Sequence, residues 1–210
     1  MSPVRPAADS AYGRAYAAGR PAVRRLVLDA ASRLLEAEGP EALTMRRIAA
    51  EAGCSTSVLY TMFGGKPGVA EGLWREGFDR LRQAMERVEA DDPLGRLTAL
   101  GQAYRASALA NRAYYAVMFQ RPIPGFEPSA DAYADSLRPL HILVDAVAGC
   151  IRGGVFRAAD PAHVAGVLWA AAHGAVSLEL AGYEGAADAE ARFQDLLAAA
   201  AAWFFASPGG

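Results

Sequence analysis

Between Leu43 and Lys66 the chain reads LTMRRIAAEAGCSTSVLYTMFGGK. This short stretch gathers six hydroxyl side chains (Thr44, Ser55, Thr56, Ser57, Tyr60 and Thr61), the adjacent cations Arg46 and Arg47, and Lys66, the single lysine of the sequence. It contains no histidine or carboxylate pair of the kind that activates a nucleophile. Short hydroxyls hydrogen-bond to several bases, and threonine also offers a methyl group to thymine. Cations beside them attract phosphate.

Two short helices must hold these groups. Thr44 is a good N-cap, reached from the preceding segment by the tight connection Glu41-Ala42. Met45, Ile48, Ala49 and Ala52 recur at helical spacing and form one apolar face, so Arg46 and Arg47 leave from the other side. Gly53 takes a positive φ at little cost, ending the helix and starting a turn. Cys54 supplies a small apolar plug, and Ser55 or Thr56 caps the next helix. Val58, Leu59 and Met62 then point inward, leaving Ser57, Tyr60 and Thr61 outward. This is the layout of a helix-turn-helix, which lays its second helix in the DNA major groove.

With its flanks, from Arg24 to about Val69, the segment resembles the N-terminal domain of the TetR family of bacterial transcription regulators. RRLVLDAASRLLEAEG resembles the family's first helix, with Leu26, Ala30 and Leu34 as one inward row. LTMRRIAAEAG resembles its second helix and turn, and CSTSVLYTMFGGK its recognition helix and the start of the helix after it. The family pattern of Tyr, two variable residues, Phe, two small residues and Lys falls on Tyr60 to Lys66. Cys54 stands where Val is usual, Thr56-Ser57 replace a frequent Lys-Gly, Thr61-Met62 replace frequent His residues, and Gly64-Gly65 and Pro67 replace Pro-Ser and Glu. The resemblance implies double-stranded DNA as partner. Thr44, Tyr60 and Lys66 would hold phosphates, assisted by Arg46 or Arg47. Ser55 and Thr56 would add backbone donors at the helix N-terminus, and Ser57, Thr61 and Thr56 would face base edges. With such residues side-chain discrimination is modest, and DNA shape contributes to specificity. Further on, Trp169-Ala-Ala-Ala-His173-Gly174 resembles the spaced Trp, His and Gly of the family's WHG type of C-terminal domain. That likeness implies a ligand-responsive, dimerising helical domain.

The whole chain has the charge distribution such a partner requires. Its 210 residues carry a net charge of −2. Residues 1–66 hold nine Arg/Lys against six Asp/Glu, and residues 67–210 hold twelve against seventeen. The positive end therefore coincides with the motif. Enzymatic readings fail on inventory. Three histidines (His141, His163, His173) and two cysteines (Cys54, Cys150) show no zinc spacing, and Gly64-Gly65-Lys66 lacks the rest of a phosphate-binding loop. No cofactor or metal is indicated. Distant cysteines and the lack of a signal-peptide pattern point to the cytoplasm. The most apolar run, Val164 to Tyr183, contains His173 and Glu179 and reads as an interface helix, not a membrane span.

Hydrophobic residues make up 53% of the sequence, and most of the 12 prolines fall between long Ala/Leu-rich segments. The expected fold is all-α: a three-helix helix-turn-helix domain over 21–66, then a helical effector-binding and dimerisation domain over 67–207. Residues 1–20 are expected to be a disordered tail, with Arg5, Arg14 and Arg20 available as a minor-groove arm. A long helix should begin at Lys66, others at Leu94, Ala113, Ser129 and Pro161, and a last one should cover 187–206. Small residues on the last two long helices (Ala165, Gly166, Ala170, Ala172, Ala175, Ala198, Ala199, Ala201, Ala202) suit a close homodimer contact. Trp74, Phe78, Tyr104, Tyr115, Phe119, Phe126, His141, Trp169 and His173 are the candidates to line a site for a small, largely apolar effector. The expected function is a dimeric repressor on a palindromic operator, released by that effector. The rivals are a helical adaptor protein, or an activator without an inducer pocket.

Overall fold

The computed structural model describes residues 10–183 and 186–206. They form α-helices joined by turns, with no strand among the described residues beyond an isolated bridge between Phe156 and Phe205. The chain divides into two compact units.

The first unit holds residues 10–78 and 112–135. Helix α1 spans Ala11–Ala17 and α2 Arg20–Glu38; after a 3₁₀ turn, Pro40–Ala42, come α3 (Met45–Ala52) and α4 (Thr56–Phe63). Helix α5, Lys66–Glu86, contributes its residues up to Phe78, and α7, Arg112–Phe119, and most of α8, Ala130–Ser136, complete the unit. Its core is Val27, Leu28, Ala31 and Leu35 from α2, Ile48 and Ala49 from α3, Leu59 and Phe63 from α4, and Val69, Leu73 and Trp74 from α5, with Tyr114 and Val117 of α7. The inward row of α2 differs from the expected one. Val23, Val27, Ala30, Ala31, Leu34 and Leu35 are buried, while Leu26 is only half-buried. Leu26 sits at the edge of a stripe wide enough to meet both α3 and α7. Tyr114 buries its ring here and donates its hydroxyl to Asp29 Oδ1 at 2.9 Å.

Two glycines fix the geometry of the motif. Gly53 closes α3 at φ 67°, a left-handed conformation that glycine adopts without steric strain. Gly68 lies in the first turn of α5, where an added Cβ would fall 1.8 Å from the Phe63 carbonyl oxygen. The end of α4 can therefore dock on α5 only because that position has no side chain.

The expected disordered tail is corrected over its second half. Residues 11–17 form α1, whose first turn is capped by the Ser10 hydroxyl accepting from Gly13 N at 2.8 Å, and Arg20 already begins α2. Alanine-rich composition favours the helix, and Gly19 at φ 95° turns the chain into α2. Residues 1–9, including Arg5, lie outside the described residues.

The second unit holds residues 79–111 and those from 136 onward. Helix α6 spans Pro93–Ala110, α9 Arg138–Arg152, α10 Pro161–Leu180 and α11 Ala186–Ala202. Helix α10 packs against α6, α9 and α11. The helix expected to begin at Ser129 ends at Ser136, and α9 begins afresh at Arg138, because Pro139 lacks the N–H needed to carry one ladder through and instead lies near the N-terminus of α9. The last helix stops at Ala202, and Phe204 and Phe205 return to pair with the segment around Phe156.

Candidate nucleic-acid interface

The three elements α3, turn and α4 place every expected DNA-contacting side chain in solvent. Thr44, Arg46, Arg47, Ser55, Thr56, Ser57, Tyr60, Thr61 and Lys66 are all exposed, while Ile48, Ala49, Ala52, Leu59 and Phe63 beneath them are buried. Tyr60 is 55% exposed. A large ring held that far out contributes little to folding, so its burial remains available to a partner.

The local chemistry fixes several of these groups. Thr44 caps α3 by accepting from Arg47 N at 3.3 Å. Ser55 is in the N-cap position of α4 with extended backbone, but its hydroxyl makes no capping bond. The exposed Ser55 hydroxyl thus stays uncommitted to capping beside the first turn of α4, an anion-receptive arrangement at a helix N-terminus. Cys54 is half-buried in the turn, its N–H bonded to Ala49 O at 2.9 Å. Burial pushes its thiol pKa up, so the side chain behaves as a packing group and not as a thiolate.

The two arginines differ. Arg47 is ion-paired with Glu38 through its guanidinium, and the hydrogen bond and charge of Glu38 raise its pKa. Arg46 is exposed and makes no ion pair among the described residues. Of the expected pair, Arg46 is therefore the one not committed to a carboxylate among the described residues. Lys66 Nζ reaches the Pro40 carbonyl at 3.5 Å, which holds the ammonium near the α2–α3 connection without neutralising it.

Two contributors escaped the sequence reading. Arg24 lies over the Phe63 ring at 4.8 Å and braces the end of α4 through a cation–π contact. Tyr12 of α1 comes beside the motif's turn, where a Cβ on Gly53 would lie 4.0 Å from that of Tyr12. Burial, then the neighbouring Cys54, raises the Tyr12 phenol pKa. The signal for α1 was the spacing of Tyr12, Ala15 and Tyr16 between Ser10 and Gly19.

The family model of "Bacterial regulatory proteins, tetR family" matches residues 27–73, and a "Tetracyclin repressor-like, C-terminal domain" model matches residues 97–200. The chain belongs to the TetR family. This TetR-family chain is similar to the HTH-type transcriptional regulator Rv1816 of Mycobacterium tuberculosis, at 24% identity over 80% of this chain and 84% of that protein. Among solved structures it is similar to a Rhodococcus sp. RHA1 protein of unknown function, with a TM-score of 0.75 and 26% identity over 87% of this chain and 95% of that one. The fold is also shared with PfmR, a TetR-family regulator from Thermus thermophilus, with a TM-score of 0.66 and 23% identity over 81% and 96% of the two chains. The protein is accordingly a DNA-binding transcriptional regulator. None of its described helices is long and apolar enough to cross a membrane.

The structure separates the expected effector-lining residues of this TetR-family protein into two groups. Trp74, Phe78, Tyr115, Phe119 and Phe126 form one aromatic cluster in the first unit, with successive ring centroids 5.0 to 6.1 Å apart. Tyr104, Trp169 and His173 gather in the second unit. The Tyr104 hydroxyl is 2.9 Å from His173 Nδ1, and the Trp169 ring lies 5.7 Å from that of His173. Burial lowers the His173 pKa. In the same unit Arg105 makes a two-pronged ion pair with Glu179, at 2.8 and 2.7 Å. His141 is corrected: it is exposed, because α9 turns Pro139, Ala146, Val147 and Cys150 inward and leaves His141 on its outer face.

Proposed function

We propose that the protein is a dimeric repressor that binds a palindromic operator and is released by a small, largely apolar effector. The observation that carries this reading is the outward row Ser55, Thr56, Ser57, Tyr60 and Thr61 on α4, flanked by Arg46 and Lys66. Ser57 and Thr61 sit one turn apart and would read base edges; Thr44, Tyr60, Arg46 and Lys66 would hold phosphates on either side.

One such head reads few base pairs, and two-fold pairing doubles the contact. The outer sides of α10 and α11 support a dimer. Ala170, Gly174 and Leu178 form an exposed row on α10, and Leu196, Ala199 and Trp203 form another along α11 and just past its end. Trp203 is 76% exposed. A Cβ added at Gly166 or Gly174 would meet open space within the subunit. Glycine inside a helix costs about 0.5–1 kcal/mol relative to alanine, so its use there fits close approach by a partner helix. Ala165, Ala172 and Ala201 are instead buried within the subunit and leave the expected dimer set.

Release follows if the effector prefers a conformation in which the two heads do not match successive half-sites. Helix α5 is suited to carry that change, since Lys66 opens it and Trp74 and Phe78 lie further along it. The test does not require the natural operator. Light scattering should give twice the chain mass, and the dimer should retain duplexes recovered from random DNA. Tyr60→Ala and Lys66→Ala should each weaken that retention. A monomer, or a protein that retains no duplex, refutes the reading.

A further inference from the structure

Trp74 carries a buried polar atom that the fold does not satisfy. The residue is only 8% exposed, and its indole Nε1–H is fully buried with no hydrogen-bond partner among the described residues. A buried donor left in this state destabilises a fold, and natural cores rarely keep one without a reason. A phenylalanine at position 74 would fill much the same space without the donor.

The surroundings are aromatic. Phe78 lies 5.0 Å from the Trp74 ring, Phe126 meets it edge-on at 6.1 Å, and Phe119 and Tyr115 continue the cluster through Phe78. Ring faces are weak acceptors for an N–H. The Trp74 N–H is therefore a directed donor, without a partner among the described residues, in a largely apolar, aromatic wall, which is the composition of a small-molecule site.

One side of that wall comes from a loop. Phe126 is half-buried and lies in the segment between α7 and α8, next to Gly125 at φ 71°. The same segment begins with Arg121 at φ 49°, a left-handed conformation uncommon for a side chain of that size. The segment is fastened on either side of Phe126. Ile123 is buried in the core, and Ser129 donates to Glu71 Oε1 at 3.1 Å, within a network in which Arg75 holds Asp135 at 2.7 Å. Phe126 is thus a half-buried ring on a loop that is fastened on either side of it.

We propose that Trp74 is the polar anchor of the effector site: an aromatic or alicyclic molecule bearing a carbonyl oxygen displaces Phe126 and accepts a hydrogen bond from Trp74 Nε1–H. This deepens, and rests on, the effector-release reading above. It places the ligand's oxygen eight residues along α5 from Lys66, about 12 Å of helix rise, within the same compact unit as the recognition helix.

The test uses the full-length protein with ¹⁵N-labelled tryptophan. The three indole signals (Trp74, Trp169, Trp203) are assigned by single Trp→Phe variants. Acetophenone is titrated as the probe against α-methylstyrene, which has nearly the same size with CH₂ in place of the oxygen. The expected result is a downfield move of the Trp74 indole proton with acetophenone only, and tighter binding of the ketone by about five-fold, the worth of one neutral hydrogen bond. Trp74→Phe should abolish that preference while retaining α-methylstyrene. A Trp74 signal that ignores acetophenone, or responds equally to both probes, overturns the assignment, and the wild-type titration decides this even if the variant does not fold. Operator retention is measured separately in the same preparation. Retention without a ketone-specific shift removes this proposal and leaves the repressor reading; loss of retention removes the latter.

Discussion

The outer face of α4 and the aromatic cluster around Trp74 belong to the same compact unit and follow opposite designs. On α4 the polar groups are exposed, short and close together, above a core of Leu59 and Phe63 that is fully formed without them. Around Trp74 the rings belong to the core or pack against it, and the Trp74 indole N–H is buried without a partner among the described residues. Function on α4 can therefore change without affecting the fold. Around Trp74 the two are coupled, because the rings also fill the core, and only a shape-conserving exchange such as Trp74→Phe separates them.

Perturbing interior and surface positions separately puts that contrast at risk. The largest effect belongs to the interior of the second unit. Glu179→Ala leaves Arg105, which is mostly buried, without its two-pronged partner and with only the more distant, exposed Glu190 at 3.6 Å. Loss of about 3 kcal/mol in chemical denaturation is expected, and a loss below about 1 kcal/mol, the range of exposed pairs, would show that solvent screens the pair. Tyr60→Ala should reverse the balance between fold and function. Operator affinity should fall about ten-fold through lost packing and hydrogen bonding to phosphate, while stability changes by less than about 0.5 kcal/mol, as for an exposed site. A large drop in melting temperature would make Tyr60 a core residue.

Smaller effects separate neighbours on the same face. Arg46→Ala should reduce the slope of log affinity against log salt by about 1. Arg47→Ala should reduce it less, because Glu38 already pairs with Arg47. Equal slopes would mean that DNA displaces Glu38. The smallest effect is that of His173. Its folded pKa is below the unfolded value because of burial, so the unfolded chain binds the proton more readily. The contribution of His173 to stability is therefore fully present above about pH 6.5, the ordinary histidine value, and declines as pH falls from there toward the folded pKa. His173→Gln should flatten that decline in a pH series of denaturation curves.

The two regions were also unequally legible in the sequence. The α3–turn–α4 face was readable because a helical period separates buried from exposed side chains, and Gly53 and the N-cap positions Thr44 and Ser55 mark the boundaries. Proline was less decisive, since Pro139 could mark a kink or a start. Residues 11–17 were obscured because Gly13 interrupts a helix that Ser10 and Gly19 otherwise delimit. Of the aromatic candidates Trp74, Tyr104 and Tyr115 are buried, Phe78, Phe119 and Phe126 half-buried and Trp169 exposed, and their separation into a Trp74 cluster and a Tyr104–His173 cluster was not readable. It depends on contacts between residues far apart in the chain, such as the pair Tyr104 and His173, which no local period records. His141 was misplaced for the same reason. A histidine on an apolar helix does not reveal which side of that helix is covered.

Whether the short hydroxyls of α4 read DNA can be decided by fluorescence anisotropy. Wild type and Ser57→Ala/Thr61→Ala are titrated across a salt series with the best palindrome selected from random DNA and with a scrambled duplex of equal length. Wild type should prefer the palindrome, and its affinity for both duplexes should fall as salt rises. The double variant should lose most of the preference while keeping the salt dependence. A double variant with undiminished preference, or a wild type that binds neither duplex, would show that α4 does not read the operator in this way.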